Sequence, residues 1–277
     1  NMGLMVNING YDYSPKIFTF PGGEVNVNFK NGRKLPVQPS TYTIRAVLKN
    51  SEDVMALLML HDAVERHLQE KAVSFLEMPY VPYARQDRVC NKGEALSVKV
   101  FAKLINSMHF DRVIITDPHS DVTPALLDNV TVVDQLTVIQ NDTKLFNKLL
   151  SGVYVLVSPD AGAYKKTMKL AQYFNCKMIS ASKDRDIATG KIKEIRLLDA
   201  VNPEKNYLIV DDICDGGGTF IPLAQSLRSD TNKVELYTTH GIYSKGVDQL
   251  LSVFDKLYTT DSYHENTSNE KIEVINL

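Results

Sequence analysis

The stretch Asp211-Asp212-Ile213-Cys214-Asp215-Gly216-Gly217-Gly218-Thr219 sets two adjacent acids ahead of three consecutive glycines. Glycines without side chains let backbone N–H groups approach an anion closely. The following Phe220-Ile221-Pro222-Leu223-Ala224 reads as a helix start, whose N-terminus adds partial positive charge. Asp211 and Asp212 repel each other unless hydroxyls or a cation share them, so a sugar diol or a magnesium-bound sugar is the partner that suits them. The chemistry expected is the grip of a phosphorylated sugar.

Other reactive stretches follow apolar runs that read as strands. Tyr80-Val81-Pro82-Tyr83-Ala84-Arg85-Gln86-Asp87-Arg88 comes after Val73–Met78, with Arg85 offering a planar fork for phosphate and Gln86 able to donate and accept. Asp117-Pro118-His119-Ser120-Asp121 follows Arg112–Thr116 and sets a histidine among acids, as a hard-metal and phosphate site requires. Ser158-Pro159-Asp160-Ala161-Gly162 follows Tyr154–Val157, and Ser182-Lys183-Asp184-Arg185 opens a charged interruption to Ala200 that reads as a loop leading into an exposed hairpin, with a turn at Ala188-Thr189-Gly190 and alternating Ile192, Ile195 and Leu197. Phe20-Pro21-Gly22-Gly23-Glu24 is a turn between two alternating runs. Taken singly, each has a plain reading as a turn with solvated charges or a packed aromatic.

Taken in order, these stretches resemble the ribose-phosphate pyrophosphokinases (PRPP synthetases). The Asp211–Thr219 loop is also similar to the ribose 5-phosphate loop of type I phosphoribosyltransferases. Pro-Tyr-Ala-Arg-Gln-Asp at 82–87 looks like the ATP-contacting signature of the synthetases and is the most specific of the set. The resemblance implies that Arg85, Gln86, Asp87 and His119 contact ATP. Phe20 and Glu24, on a hairpin, would meet the adenine, often of ATP bound to a neighbouring subunit. His119 and Asp160 would hold Mg2+. Asp160, Asp211, Asp212, Asp215, Gly216, Gly217, Gly218 and Thr219 would hold the ribose phosphate. Lys183 and Arg185, on a flexible lid, would be catalytic, stabilising the charge on the diphosphoryl group in transit. The implied reaction is attack of the C1 hydroxyl of ribose 5-phosphate on the β-phosphorus of magnesium-ATP, giving PRPP and AMP in a cytoplasmic homo-oligomer built from dimers, commonly a hexamer. Thr239-His240-Gly241-Ile242-Tyr243-Ser244 matches a further family stretch, which either frames the sugar pocket or is a structural turn.

Three departures stand out. Pro118 replaces the family's Leu beside the histidine, and Gly22 stands where a polar residue often contacts the adenine. Family loops read Asp-Thr-x-Gly-Thr, and here Gly216 occupies the first Thr position. One hydrogen bond to a charged phosphate, worth about 1.5–3 kcal/mol, is then missing unless another donor substitutes. That leaves ribose 5-phosphate as the default acceptor and ADP-ribose, used by phage-type relatives to rebuild NAD, as the alternative. A non-catalytic regulatory subunit is the reading from another class, and the presence of Lys183, Arg185, His119 and Asp160 argues against it. A phosphoribosyltransferase that consumes PRPP would not need residues 82–87.

The elements that must position these residues form a βαβ pattern. Strands are expected at Lys16–Phe20, Glu24–Phe29, Val73–Met78, Arg112–Thr116, Tyr154–Val157, Lys177–Ser180, Tyr207–Val210, Val234–Thr238, Lys256–Thr260 and Lys271–Val274. Helices are expected at Glu52–Glu70 with Ser51 as N-cap, Ala95–Met108, from Thr137 to Leu150, Tyr164–Phe174, Phe220–Leu227 and Lys245–Val253. The fold class is α/β, with two tandem type I phosphoribosyltransferase-like domains, 1–137 and 138–277, each an open, mainly parallel sheet flanked by helices. The first would carry the main ATP loops, the second the ribose-phosphate loop and the lid. A chain of 277 residues, 44% hydrophobic and 23% charged, has the length and balance for two such domains. A formal charge of −2 offers no electrostatic case for nucleic acid or an anionic membrane. Three scattered cysteines fit a reducing compartment, and no apolar run is long enough to span a bilayer.

Overall fold

Residues 3–29, 41–68, 71–265 and 268–277 are described by the computed structural model, and the chain divides between Val133 and Asp134 into two units. In the first unit the order is β1 (Leu4–Ile8), β2 (Tyr11–Tyr13), β3 (Lys16–Thr19), β4 (Val25–Asn28), β5 (Thr41–Ala46), α1 (Ser51–His67), β6 (Val73–Met78), α2 (Ser97–Asn106), β7 (Arg112–Thr116), α3 (Val122–Leu126) and β8 (Val130–Val133). The sheet order is β2-β1-β5-β6-β7-β8. β5 through β8 are parallel, and β1 is antiparallel to both its neighbours. β3 and β4 form a separate antiparallel ribbon.

The second unit runs α4 (Gln135–Gln140), α5 (Thr143–Leu150), β9 (Tyr154–Ser158), α6 (Tyr164–Phe174), β10 (Met178–Arg185), β11 (Ile192–Leu197), β12 (Asn206–Cys214), α7 (Phe220–Leu227), β13 (Val234–Gly241), α8 (Asp248–Leu251), β14 (Lys256–Thr260) and β15 (Ile272–Ile275). Its sheet order is β11-β10-β9-β12-β13-β14-β15, parallel throughout except where β10 meets β11. β9 and β13 are buried along their whole length, as strands covered on both faces must be. Each unit has its own apolar core.

From β9 the chain passes through α6 to β10 on one side, whereas β12, on the other side of β9, passes through α7 to β13. The loops leaving β9 and β12 therefore diverge. That opens a crevice beyond the carboxyl ends of the strands, where open α/β sheets bind ligands.

Several elements differ from expectation, each for a local reason. Asn50, not Ser51, caps α1, its side chain accepting from the Asp53 N–H at 2.9 Å. The helix ends at His67, and the expected end at Glu70 lies outside the described residues. The unit boundary precedes the expected one because Asp134 caps α4, accepting from Thr137 N–H at 2.8 Å, and pairs with Lys169 at 2.7 Å. Asp142 then caps a second helix, α5, so the segment to Leu150 is two helices rather than one. α2 turns Val98, Phe101, Ala102 and Ile105 inward and leaves Val100 and Leu104 exposed. The segment expected as a helix from Lys245 begins instead with a turn, Gly246 N–H to Tyr243 O at 2.8 Å, and only Asp248–Leu251 is helical. β1, β2, β5 and β8 were not expected from the sequence. Among the described residues, no helix is long and apolar enough to cross a membrane.

Candidate active site

In the second unit the crevice between β9 and β12 holds the acids. β12 does not stop at Val210 as expected but continues through both acids to Cys214. The reason is that β13 pairs with it that far, Asp211 opposite Thr238 and Cys214 opposite Gly241. Tyr207 to Val210 are buried, as the apolar run required. Asp211 is half-buried, accepts from the Asp212 N–H at 2.8 Å, and Asp212 is buried. Burial first, then the Asp212 carboxyl, then Asp160 push the Asp211 pKa well above the ordinary carboxylate range.

Asp160 leaves β9 in a tight turn. Its Oδ1 accepts from Ala163 N–H at 2.9 Å, and its backbone carbonyl accepts from the Ser158 hydroxyl at 2.8 Å. A Cβ on Gly162 would lie 3.3 Å from that Oδ1, so glycine suits the turn. The other oxygen, Oδ2, takes Lys183 Nζ at 2.5 Å, both side chains mostly shielded from solvent. Lys183 and Arg185 thus stand on a strand, not a loop, because β10 extends past Ser180 by pairing with β11. The register shifts between Asp184 and Arg185, and Arg185 turns to Gly190 O at 3.1 Å across the hairpin end, away from the lysine's partner.

The glycine cradle has unequal members. Gly217 alone of the three has a positive φ, +80°, and a Cβ there would meet Leu250 Cδ2 at 2.8 Å. A Cβ on Gly218 would meet nothing within 4 Å. The N–H groups of Phe220 and Ile221 both go to Gly217 O at 3.1 Å, and Thr219 begins α7 without a side-chain cap. Those of Gly216, Gly217, Gly218 and Thr219 donate to no acceptor among the described residues, the state expected of an anion cradle. Asp215, half-buried, leads into it.

In the first unit the expected ATP residues lie at strand ends. Tyr83, with φ +66°, bends the loop after β6 and sets its hydroxyl 3.1 Å from Ser51 Oγ at the start of α1. Arg85 and Gln86 are exposed, and Asp87 accepts from Ser120 Oγ at 2.7 Å. That bond joins the hexapeptide loop to the loop after β7, where His119 is exposed and Asp117, at φ +40°, is buried. Phe20, 47% exposed, and Glu24 sit at the end of the β3–β4 ribbon, joined backbone to backbone at 2.9 Å. Thr19, beside them, donates to Glu52 in the first turn of α1 at 2.5 Å.

A family model described as the N-terminal domain of ribose phosphate pyrophosphokinase matches residues 9–108. A ribose-phosphate pyrophosphokinase of Rhizobium meliloti is 33% identical over 224 residues, 79% of this chain and 70% of the relative. The chain belongs to the ribose-phosphate pyrophosphokinase family. The relative from Pyrococcus furiosus is 29% identical over 274 residues, covering 95% of this chain and 91% of its own. The crystal structure of phosphoribosylpyrophosphate synthetase from Mycobacterium smegmatis shares the fold, with a TM-score of 0.75, 22% identity and coverage of 95% of this chain and 86% of that one. The chain is accordingly an enzyme of the diphosphotransferase type.

Within this pyrophosphokinase the expected site residues fall into two sets. Asp160, Lys183, Arg185, Asp211, Asp212 and the 215–219 loop belong to one unit; Phe20, Glu24, Arg85, Gln86, Asp87 and His119 belong to the other. His119 and Asp160, the expected metal residues, are divided between them. Among the described residues, no three His, Cys, Asp or Glu side chains gather closely enough to hold a metal ion by themselves. His240 is 2% exposed, with Nδ1 2.7 Å from Ser262 Oγ, and Thr239–Gly241 form the end of β13. Lys245, which follows it, lies against Gly216 and was not singled out from the sequence. Its one signal was its place in a loop after a buried strand.

Proposed function

We propose that this pyrophosphokinase transfers the diphosphoryl group of ATP to the C1 hydroxyl of ribose 5-phosphate, giving PRPP and AMP. The observation that carries the reading is the meeting of Asp160, Lys183 and the Asp211–Thr219 loop at one topological switch point, a cation and carboxylates beside a glycine cradle. In this reading the cradle N–H groups hold the 5-phosphate, and Asp211 and Asp212 orient the ring hydroxyls. The C1 hydroxyl attacks the β-phosphorus in line, and AMP leaves. Lys183 exchanges Asp160 for the phosphoryl oxygens, and its charge is worth most at the moment of transfer. Arg185 acts beside it once it leaves Gly190. Arg85, Gln86 and Asp87 hold ATP, with Phe20 and Glu24 against the adenine.

The oxygen-rich crevice suits a hard cation. Asp211 is crowded by Asp212 and Asp160, and a divalent ion relieves such crowding. Asp160 and His119 are the residues we propose for binding Mg2+, which would neutralise charge on the phosphates. We further propose a dimer-based homo-oligomer, up to a hexamer, for which the exposed aromatic at the ribbon end supplies a candidate contact, and a cytoplasmic setting in which its thiols stay reduced.

The same transfer to ADP-ribose is the second reading, favoured by the open space around Gly218. The test is AMP release from magnesium-ATP with ribose 5-phosphate and ADP-ribose in parallel, products identified by mass. AMP with diphosphorylated ribose 5-phosphate is the expected result. Product from ADP-ribose alone selects the second reading, and no AMP with either acceptor sinks both in favour of a non-catalytic subunit.

A further inference from the structure

Gly216 leaves one side of the cradle bare, and a lysine covers it. A Cβ built on Gly216 would lie 3.4 Å from Lys245 Cε, 3.5 Å from Cδ and 3.8 Å from Cγ, ordinary contact distances. Three methylenes of Lys245 therefore run along the glycine, and the ammonium, one bond beyond Cε, sits beside the loop. Lys245 is exposed, and it makes no hydrogen bond or ion pair with any described residue.

The backbone that presents it is fixed. Ile242 and Tyr243 N–H both donate to Cys214 O, at 2.9 and 3.2 Å, which ties this loop to the end of β12. Tyr243 takes φ +49°, and its ring packs where a Cβ on Gly241 would come within 2.5 Å. The Tyr243–Gly246 turn, closed at 2.8 Å with Gly246 at φ +74°, then sets Lys245 at its third position. A surface lysine on a mobile loop would lose much of its attraction to the entropy of being placed; here most of that ordering is built in.

The geometry points to Lys245 as a binding residue for the acceptor's phosphate. Its ammonium takes the phosphate oxygen that a side-chain hydroxyl at position 216 would otherwise hold. This rests on the reading of the 215–219 loop as the acceptor's phosphate cradle. An ammonium on a long stem is a point charge that can follow an oxygen, so it serves the terminal monoester of ribose 5-phosphate or the bridging pyrophosphate of ADP-ribose.

The test is Lys245→Met, which keeps the stem and removes the charge, with Lys245→Arg as the conservative partner. KM for each acceptor and for ATP is measured, with calorimetric titration of ribose 5-phosphate and ADP-ribose into the ATP-free enzyme. Loss of one charge-assisted contact at an exposed site predicts about a tenfold weaker acceptor in Lys245→Met by both measures. ATP KM should change less than about twofold, the melting temperature should hold, and Lys245→Arg should recover most of the loss. The acceptor whose KM moves identifies which phosphate the lysine meets. Unchanged acceptor KM and affinity in Lys245→Met overturn the assignment while AMP release by the wild type leaves the parent reading standing. Equal weakening of acceptor and ATP overturns it as well. If the wild type releases no AMP, the parent reading falls, and the titrations alone decide: weaker binding in Lys245→Met upholds the lysine's role, and equal or absent binding removes it.

Discussion

Replacing Asp211 with asparagine is expected to stabilise the protein while impairing the reaction. Burial and the neighbouring carboxyls of Asp212 and Asp160 raise the Asp211 pKa in the fold, so the folded chain holds a proton that the unfolded chain, titrating near 3.9, has given up. A raised pKa contributes stability that is present below the unfolded value and lost as pH rises towards the folded one. Asparagine never ionises, and its carbonyl oxygen can still accept the 2.8 Å bond from the Asp212 N–H. The advantage of Asp211→Asn should therefore be near zero at about pH 4 and grow with pH, by no more than about 1.4 kcal/mol per unit. It levels off once the wild-type carboxyl has ionised.

At neutral pH an incompletely compensated buried polar group costs about 1–3 kcal/mol. For a chain of this size that corresponds to a rise in melting temperature of about 2–4 °C per kcal/mol. The assay is thermal melting of both proteins in chelator from pH 4.5 to 8, repeated with magnesium, which should narrow the difference by stabilising the wild type. Turnover of the acceptor should fall about 10–100-fold, the loss of one charged contact to a ring hydroxyl. A melting difference that is constant with pH, or an asparagine variant less stable than wild type above pH 6, would refute the reasoning.

Much of the frame was legible because short-range signals agree with long-range ones. β6, β7, β14 and α6 fall on the expected residues, their apolar spacing matching the faces they bury. The residues of the candidate site were legible as stretches that follow apolar runs. What was hidden depends on partners distant in sequence. Asp211 and Asp212 look like a strand's end, yet pairing with Thr238 to Gly241 carries β12 through them. Lys183 looks like a loop cation until β11 pairs beside it. β5 carries a buried alternation of Tyr42, Ile44 and Ala46 that could have been found; β8, half-exposed with Val132 outward, offered little. Nothing near Lys245 in sequence reveals that it lies on Gly216, a contact made by two loops that adjacent strands bring together.

Lys183→Met is expected to lower kcat about 10²–10³-fold, the usual loss for one preorganised group that stabilises transition-state charge, with a much smaller change in acceptor KM. Pre-steady-state AMP formation checks it, and a variant within threefold of wild type would remove Lys183 from the reaction. Gly217→Ala and Gly218→Ala separate the cradle's shape from its openness. At Gly217 an alanine must hold φ +80°, costing about 1–2 kcal/mol, and must also push its Cβ against Leu250 Cδ2 at 2.8 Å, a crowding that costs about 1–3 kcal/mol more. Part of that second cost relaxes, because the contact is the tip of a leucine, so a net loss of about 2–4 kcal/mol is expected by chemical denaturation. At Gly218 φ is ordinary and a Cβ meets nothing within 4 Å, so stability should stay within about 0.5 kcal/mol of wild type. Its methyl would instead stand in the open space over the cradle, so acceptor KM should rise while ATP KM holds. If Gly218→Ala binds the acceptor as wild type does, the phosphate does not approach the backbone at Gly218, and the cradle has been assigned to the wrong face of the loop.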